Sequence, residues 1–452
     1  MKNLRHTTIT LFEHQFRSFT EMDMDSEHPL ILGIEQLNQS QGKDLVILQR
    51  KGIKATQFVG VIRTGQITLQ ILPKIDYSSE GDANAALFSA PHNQATSSAT
   101  SNLLFLLSYA LDLAVYEKEI AGLSHQALDW SEFLTRLLAS DLHRLMKRGL
   151  LQNYITREDR LPVMRGRWRI EQQLIRQPHV KHRFDVRFDE FSPDIFINQV
   201  FRLTVENLLF QTRDPGNRRM LTDVYDWLSP VRKLGFVSSS DLDRVIFTRL
   251  NEHYRPVFNL ARMFLEHSTP LLSVGNTKTF AFVFDMNLLF ERFVGGFLAR
   301  QWQAIFPTQW EEIQTRFQAN ERSFYLAKRT SDEKSVFKLI PDILLENRWG
   351  QQTRLVVDTK YKHLNPEQRK LGVSEGDFYQ MLAYLKGLEC PRGLILYPQT
   401  ASRTKLYERF EVKHQDAFIS AATINLRQPL QDVDVLIQEF RELFTQILQF
   451  PA

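Results

Sequence analysis

The spacing of apolar residues changes twice along the chain, and each change limits what that region can fold into. Up to about Tyr77, short β-favouring runs are separated by glycines, which predicts strands joined by tight turns. From Leu103 onwards, apolar residues recur at helical spacing. After about Leu271, helix-like and strand-like segments alternate. The sequence therefore predicts a small β-rich N-terminal domain (1–77), a mostly helical middle domain (103–270) and a C-terminal α/β domain with a mixed sheet (271–452).

Residues 78–102 form a separate segment between the first two regions. They are rich in Ser, Ala, Asn, Thr and Gly and hold few large apolar residues, which predicts a linker or mobile loop. The richest apolar run, Leu103 to Tyr116, is too short to cross a bilayer, and Cys390 has no second cysteine with which to pair. We therefore expect a cytoplasmic protein that has no disulfides and no membrane partner.

The middle region carries a local excess of basic residues. Between residues 141 and 190 there are 12 Lys or Arg and 7 Asp or Glu, whereas the whole chain of 452 residues has a net charge of +4. Within this window lies the arginine segment, in which Arg165, Arg167 and Arg169 surround Trp168. Basic side chains beside an aromatic ring suit a nucleic-acid backbone, but a solvated surface without a ligand explains the same pattern.

Two aspartates in the C-terminal region interrupt strand-like apolar segments. Asp342 follows Pro341 in one segment, and in the next Asp358 and Lys360 lie two residues apart, so that their side chains project from one face of a strand. Buried carboxylates on neighbouring strands are costly unless a positive charge lies between them. Oxygen ligands select Mg²⁺ or Mn²⁺, and a nearby lysine can orient water and offset charge on a phosphate. We therefore predict Asp342 and Asp358 as metal ligands and Lys360 as a catalytic residue.

The Asp-x-Lys pattern is weak when it stands alone. Aspartates at strand edges also pair with neighbouring cations, and Arg354, Lys360 and Lys362 are available here. The position of Asp342 strengthens the metal interpretation, because it lies sixteen residues before Asp358, a spacing that a hairpin can close.

Two flanking helices add polar residues to the same region. Gln380 and Tyr384 lie one turn apart on one face of a helix that follows the strands. On a helix that precedes the strands, Glu291 lies one turn after Asn287, at the margin of an apolar stripe. Glu291 is therefore a candidate third acidic ligand, and Gln380 and Tyr384 are candidate supporting residues.

These motifs, in this order, resemble a known family. Pro341-Asp342, Asp358-Thr-Lys360 and Gln380-x-x-x-Tyr384 resemble the PD-(D/E)xK nuclease superfamily in its RecB-like branch. The wider chain resembles the McrC family, the nuclease subunit of the McrBC modified-cytosine restriction system. The segments that carry the wider resemblance are Gly60-Val-Ile, Ile71-Leu-Pro73-Lys74-Ile75, Arg165-Gly166-Arg167, Phe188-Asp-Glu190-Phe-Ser-Pro-Asp194 with Asn198, Met286-Asn287-Leu-Leu-Phe290-Glu291-Arg-Phe-Val, and Asp358-Thr-Lys-Tyr-Lys362.

The resemblance implies a metal-dependent endodeoxyribonuclease subunit. In it Asp342 and Asp358 would bind Mg²⁺, Lys360 would act on the hydrolytic water, and Glu291 would be an accessory ligand. Gln380 and Tyr384 would support the site or contact the DNA backbone. Lys362, together with Arg165, Arg167 and Arg169, is predicted to bind double-stranded DNA. The sequence itself assigns no chemical role to the segment from Phe188 to Asp194.

The resemblance also implies a partner, an McrB-like AAA+ GTPase ring that recognises modified cytosine. The subunit would stimulate the GTPase of this ring through its N-terminal β-rich part, as one component of an antiviral defence. The chain has no Gly-x-x-x-x-Gly-Lys-Ser/Thr motif, so GTP would be bound only by the partner. A double-strand break needs two nuclease centres, which is compatible with the pairing of two copies.

Two alternative functions fit the same residues. A stand-alone RecB-like DNA nuclease would need no motor and would cut without a partner. A regulatory adaptor with an inert nuclease fold would only drive the motor. The complete set of Asp342, Asp358 and Lys360 argues against the adaptor, because an inert fold has no need of a costly buried charge cluster.

Overall fold

The computed structural model describes most of the chain. The described residues are 7–25, 27–74, 92–113, 130–176, 182–268, 272–274, 277–306, 313–317, 323–347, 352–362, 364–399, 405–414, 416–426 and 433–449. The chain divides into two compact units, of which the first comprises residues 1–127 and 267–452 and the second comprises residues 128–266. The division inferred from the sequence, into residues 1–77, 78–102, 103–270 and 271–452, remains a prediction.

The described residues form strands and helices in both units. The strands are β1 (Thr7–Phe12), β2 (Phe16–Ser18), β3 (Val46–Gln49), β4 (Gly52–Ala55), β5 (Phe58–Thr64), β6 (Ile67–Leu72), β7 (Asn153–Leu161), β8 (Arg167–Trp168), β9 (Phe184–Ser192), β10 (Leu272–Val274), β11 (Thr277–Asp285), β12 (Ile313–Phe317), β13 (Phe324–Lys328), β14 (Ser335–Leu339), β15 (Ile343–Asn347), β16 (Thr353–Thr359), β17 (Arg392–Gln399), β18 (Tyr407–Glu411) and β19 (Phe418–Asn425). The helices are α1 (Pro29–Gln41), α2 (His92–Ala110), α3 (Trp130–Met146), α4 (Ile170–Arg176), α5 (Phe196–Gln211), α6 (Pro215–Trp227), α7 (Ser239–Leu242), α8 (Arg255–His267), α9 (Met286–Arg300), α10 (Trp302–Ile305), α11 (Glu375–Gly387) and α12 (Val433–Leu448). None of the helices formed by the described residues is long and apolar enough to span a membrane.

A five-stranded sheet of the first unit has the strand order β1-β6-β5-β11-β10. Its strands β1 and β6 are parallel, whereas β5 is antiparallel to both β6 and β11. Helix α1 buries Leu30, Ile34 and Leu37 in a common core with this sheet. Gly60 in β5 has a φ of +150°, and a Cβ there would lie 2.2 Å from the carbonyl oxygen of Phe282, so only glycine permits this close pairing with β11. Strands that are distant in the sequence therefore complete the N-terminal sheet.

The segment predicted as a linker is partly helical. Helix α2 begins at His92, and residues 78–91 lie outside the described part of the chain. The second half of α2 packs against α9, where the ring centroids of Tyr109 and Phe297 are 5.0 Å apart. The guanidinium of Arg300 also donates to the carbonyl oxygen of Ser108 over 3.3 Å. These tertiary contacts stabilise a helix that local composition does not favour.

A six-stranded sheet of the first unit has the order β12-β15-β16-β17-β19-β18. The central strands β16, β17 and β19 run parallel, whereas β12, β15 and β18 join by antiparallel pairing. Helix α11 contributes Met381 and Tyr384 to a core that also contains Val356 and Ile395 of the sheet. Helices α9 and α12 pack together in the same unit through stacked phenylalanine rings. The α/β class with a mixed sheet, predicted from the sequence, is confirmed.

The apolar pattern from Val336 to Glu346 predicts a single strand, but the structure differs here. The run is divided into β14 and β15 at Pro341, which has no backbone N–H for a continuous ladder. Strand β14 instead forms a two-stranded sheet with β13. Strand β18 was not predicted. Asp285, which the sequence places as a cap before the apolar stripe of α9, takes that role, because its side chain accepts a hydrogen bond from the backbone N–H of Asn287.

The second unit contains six helical segments and one three-stranded sheet, β7-β9-β8, among its described residues. The sequence did not predict this sheet, whose strands include the segment from Phe188 to Ser192. The acidic residues before Pro193 predict a helix with Ser192 or Asp194 as its cap, but α5 begins at Phe196 without a side-chain cap. The amide of Asn198 donates to the carbonyl oxygens of Leu151 and Pro193, which gives this segment a structural role.

Candidate metal centre

The β15–β16 hairpin brings Asp342 and Asp358 together. In this antiparallel ladder Ile343 is paired with Val357. One position further along, Asp342 therefore lies opposite Asp358. We call these two residues the carboxylate pair. They lie on the sheet face that α11 covers, together with Val356. The spacing of sixteen residues is therefore closed by a hairpin, as the sequence predicts.

Asp342 is held by the strand that carries its partner. Its Oδ2 accepts one hydrogen bond from the backbone N–H of Thr359 over 2.7 Å and another from the Thr359 hydroxyl over 2.8 Å. Burial raises the pKa of Asp342, and the two bonds from Thr359 and the charge of Lys360 oppose only part of this effect. The second Asp342 oxygen stays available for another ligand.

Asp358 is almost completely buried, with a side chain that is 1% exposed. Its Oδ2 lies 2.6 Å from the ammonium nitrogen of Lys360, in an ion pair without regular hydrogen-bond geometry, and its Oδ1 has no hydrogen-bond partner among the described residues. Burial and then the charge of Asp342 raise the pKa of Asp358 to about 7, against the opposing effect of Lys360. The two acids therefore repel each other in a place where water screens them little.

Lys360 provides the positively charged side chain of the site, and this side chain is 19% exposed. Burial alone would lower its pKa, but the charges of Asp358, Asp342 and Asp377 outweigh burial, so the pKa of Lys360 is raised. Lys360 therefore stays protonated at neutral pH. One lysine cannot neutralise two carboxylates when both are ionised, which leaves a net negative charge at the site.

The donor set fits a hard divalent cation with an incomplete protein shell. Unpaired buried carboxylate oxygens are the ligands that Mg²⁺ and Mn²⁺ prefer, and Mg²⁺ usually keeps several waters and takes only one or two carboxylates from the protein. No group of three His, Cys, Asp or Glu side chains within the described ranges is arranged to hold one ion. The described residues therefore offer the two carboxylates of the pair, and the remaining positions would fall to water or to a substrate phosphate.

The two residues of the Gln-x-x-x-Tyr motif are hydrogen-bonded to each other. The amide of Gln380 donates to the Tyr384 hydroxyl over 2.8 Å, and that hydroxyl donates to the carbonyl oxygen of Ile340 over 2.9 Å. Ile340 lies two residues before Asp342, so α11 holds the short connection between β14 and β15. Burial and then the charge of Asp358 raise the pKa of Tyr384 to about 12, so it donates as a neutral phenol.

Glu291 lies on α9, at the edge of this region. Its charge contributes to the raised pKa of Tyr384, which places its carboxylate near that hydroxyl. It does not complete a three-acid group with Asp342 and Asp358. Its role as an accessory ligand stays a prediction.

Sequence reasoning missed three residues around the site. Thr359 orients Asp342, Asp377 pairs with the ammonium of Lys362 over 2.9 Å, and Glu13 accepts a hydrogen bond from Tyr361. Thr359 lies inside the recognised motif, and Asp377 lies in the first turn of a predicted helix, so both had a local signal. Glu13 had none, because only the tertiary fold brings it to Tyr361.

The arginine segment lies in the second unit, at the turn that leads into β8. Gly166 has a φ of +71°, and a Cβ there would lie 2.5 Å from the carbonyl oxygen of Arg187, so the turn requires glycine. The Arg165 guanidinium lies 4.3 Å from the centroid of the Phe188 ring. Arg169 pairs with Glu158 instead of remaining available. Arg165 and Arg167 are exposed and form no salt bridge within the described ranges.

The chain is similar to proteins of one restriction system. A sequence model described as McrBC 5-methylcytosine restriction system component matches residues 53–398. The fold is similar to that of a chain in the refined half-complex from a tetradecameric assembly of Thermococcus gammatolerans McrB AAA+ hexamers with bound McrC, with a TM-score of 0.62 and 22% identity over 98% of this chain and 100% of that chain.

A chain in the cryo-EM structure of the Thermococcus gammatolerans McrBC complex is also similar, with a TM-score of 0.48 and 25% identity over 66% of this chain and 88% of that chain. No curated protein sequence matches the chain. The family match covers well over half of the sequence and includes both members of the carboxylate pair, which confirms the resemblance seen in the motifs. The chain belongs to the family of McrBC 5-methylcytosine restriction system components.

Proposed function

We propose that this chain is the Mg²⁺-dependent DNA endonuclease subunit of an McrBC-type restriction system. The observation that supports this most is the convergence of Asp342, Asp358 and Lys360 at the open end of the β15–β16 hairpin, with an unpaired oxygen on the buried Asp358. An ion pair that only stabilises the fold needs one acid for one base. Here two acids share one lysine in a place where water screens charges little, so the site keeps an excess of negative charge. A divalent cation supplies the missing positive charge.

The residues of the site have separate roles in phosphodiester hydrolysis. Asp342 and Asp358 would hold Mg²⁺, or Mn²⁺ in its place, and the bound ion would polarise the phosphate and lower the pKa of a water. Lys360, partly exposed beside Asp358, orients that water and offsets negative charge that develops on the phosphate. Thr359 fixes the carboxylate of Asp342, and Tyr384 with Gln380 fixes the backbone before it.

DNA contacts are proposed for a second set of residues. Lys362 pairs with Asp377, but its side chain is half exposed, so a phosphate could approach it from solvent. Arg165 and Arg167 are exposed, and the Arg165 guanidinium lies over the Phe188 ring, so both can reach a phosphate of the DNA backbone. Arg169 is the weakest member of this set because Glu158 already neutralises it.

The proposed partner is an McrB-like AAA+ GTPase ring. The similar fold in the Thermococcus gammatolerans assembly comes from McrB hexamers with bound McrC, and the present sequence lacks the Gly-x-x-x-x-Gly-Lys-Ser/Thr motif. We therefore assign GTP binding to the partner, and stimulation of its GTPase to the N-terminal β-rich part of this chain. Cleavage of both DNA strands would follow from the pairing of two copies.

The test uses the full chain with its cognate AAA+ partner. Asp358→Ala should abolish cleavage of DNA that contains 5-methylcytosine, and should leave partner binding and GTPase stimulation at the wild-type level. Glu333→Ala, which removes an exposed acid of the β13–β14 hairpin, is the matched control and should cut normally. Persistent cleavage by Asp358→Ala would rule out the assigned site.

A second measurement does not depend on cleavage. Mg²⁺ or Mn²⁺ binds only the folded site, so either ion should raise the Tm of the wild-type protein and leave the Tm of Asp358→Ala unchanged. Cutting by the purified chain without a motor would instead support a stand-alone nuclease. Normal restriction in cells by Asp358→Ala would support a nuclease-inert adaptor.

A further inference from the structure

A buried glutamate from the N-terminal sheet reaches the strand that carries the candidate catalytic lysine. Glu13 follows β1 directly, and its side chain lies where the parallel strands β1 and β6 end. Its Oε2 accepts hydrogen bonds from the Tyr361 hydroxyl over 2.8 Å and from the backbone N–H of Lys74 over 3.0 Å. The residue is only 1% exposed, and its backbone N–H donates to the carbonyl oxygen of Leu72.

Tyr361 joins Glu13 to the site because it follows Lys360 in the chain. The Tyr361 side chain lies against α9, whereas Asp358, the ion-pair partner of Lys360, is on the sheet face that α11 covers. The Tyr361 ring packs against Phe290 of α9, with centroids 5.9 Å apart. The regular strand β16 ends at Thr359, so the position of Lys360 depends on what holds the residues that follow.

The chain after β16 is held on two sides. On one side Lys362 pairs with Asp377 of α11, and on the other side Tyr361 donates to Glu13. Between them the backbone N–H of Lys360 donates to the carbonyl oxygen of Leu396 in β17. Lys360 therefore extends towards Asp358 from a backbone that is anchored by its own N–H and by the side chains of the two residues that follow it.

The burial of Glu13 also decides its protonation. Burial raises its pKa to about 8, even though the bonds from Lys74 and Tyr361 oppose this rise. At neutral pH it is therefore mostly a neutral carboxylic acid, for which glutamine is a close replacement. A buried hydrogen-bonding group of this kind is stabilising only while its partners remain in place.

We propose that Glu13 is a positioning residue of the nuclease site, which holds Lys360 in register with Asp358 by anchoring Tyr361. This inference rests on the nuclease function proposed above. It makes the end of the N-terminal sheet a structural part of the catalytic centre. Glu13 itself touches neither the carboxylate pair nor a substrate.

The test compares three substitutions in the full chain with its partner. Tyr361→Phe removes only the hydroxyl and keeps the ring on Phe290, Glu13→Leu removes the acceptor, and Glu13→Gln keeps it. Thr64→Val is the matched control, because it removes a buried hydroxyl contact with Thr279 in the same sheet and does not touch Tyr361.

Cleavage should separate these variants. Tyr361→Phe and Glu13→Leu should lower kcat about tenfold with KM for DNA unchanged, as expected when a residue that orients a catalytic group is lost. The double variant should be no worse than either single variant, because both remove one interaction. Glu13→Gln and Thr64→Val should cut at the wild-type rate. Wild-type cleavage by Tyr361→Phe, or failure of Glu13→Gln to cut, would overturn the proposal.

Hydrogen exchange gives a readout that needs no cleavage. In Tyr361→Phe the backbone amides of Lys360 and Lys362 should exchange about tenfold faster than in the wild type, and in Thr64→Val they should not. Unchanged exchange in Tyr361→Phe would overturn the proposal. If the wild-type protein does not cut DNA, the nuclease function fails, and the exchange rates still decide whether Glu13 anchors this strand.

Discussion

The carboxylate pair lies on two hydrogen-bonded strands inside the first unit, whereas the arginine segment lies on an exposed turn of the second unit. Asp342 and Asp358 are held in place by the sheet and by Thr359, and water reaches them little. Arg165 and Arg167 are exposed to solvent, and Arg165 lies over the Phe188 ring. The two regions carry charges of opposite sign in opposite surroundings.

The difference shows what burial does to a charged motif. In the carboxylate pair burial, and then the poorly screened charge of Asp342, raise the pKa of Asp358 to about 7, so a cation becomes favourable. In the arginine segment water screens each charge, and any contact with a phosphate depends on salt. Substitutions in the first region should therefore change chemistry, and those in the second should change affinity.

The largest effect is expected for the lysine of the buried site. Lys360→Met should lower the single-turnover cleavage rate by about 10²- to 10³-fold, because it removes the cation that offsets charge on the phosphate. Lys328→Met, at an exposed ion pair with Glu333, is the control and should cut normally. A loss of less than about threefold for Lys360→Met would remove the distinction between the two regions.

A smaller effect is expected where α11 supports the pair. Tyr384→Phe loses the hydrogen bond to the carbonyl oxygen of Ile340, so cleavage should fall about tenfold and the free energy of unfolding should fall by about 1 kcal/mol. Gln380→Ala leaves that bond in place and should cost less in both measurements. Denaturant unfolding and steady-state kinetics would check this, and equal losses for both variants would contradict it.

Glu13 is a buried acid outside the carboxylate pair, so it shows the effect of burial on a pKa separately from that pair. Its pKa is raised from 4.5 to about 8, so the folded protein binds this proton more tightly than the unfolded chain does. The contribution of Glu13 to stability is complete below pH 4.5 and is lost as the pH rises through about 8. Glu13→Gln should remove this dependence. Its Tm relative to wild type should be higher by at least about 2 °C near pH 9 than near pH 5, and an equal difference at both pH values would contradict the raised pKa.

The smallest effect is expected in the arginine segment. Arg167→Ala should weaken DNA binding about threefold, and the slope of log K against log salt should fall by about one, with the cleavage rate of bound DNA unchanged. Arg169→Ala should do less, because Glu158 already neutralises that side chain. A change in the cleavage rate at saturating DNA would place the arginine segment in the chemistry and break the comparison.

Local patterns predicted much of the site. The period-2 alternation placed Asp358 and Lys360 on one strand face, and the spacing to Asp342 required a hairpin that the structure contains. Gln380 and Tyr384 were correctly placed on one helix face, because helical spacing is set by geometry over a single turn. These successes share a cause, which is that the interacting residues are close in sequence or lie on adjacent strands.

Other features escaped because distant segments create them. Strand β11 pairs with β5, but nothing in the sequence of β11 indicates which strand it pairs with. The three-stranded sheet of the second unit and the helix at His92 were missed, because packing overrode weak local preferences.

The order of residues along the chain determined which side chains could meet a metal, which strand faces they occupy and which helix supports them. Only the tertiary structure decided that Glu13 meets Tyr361, that Thr359 orients Asp342 and that Lys362 is paired. The reason is physical, since periodicity and capping act over one or two turns of chain. A buried contact between residues 13 and 361 depends instead on how the whole core packs.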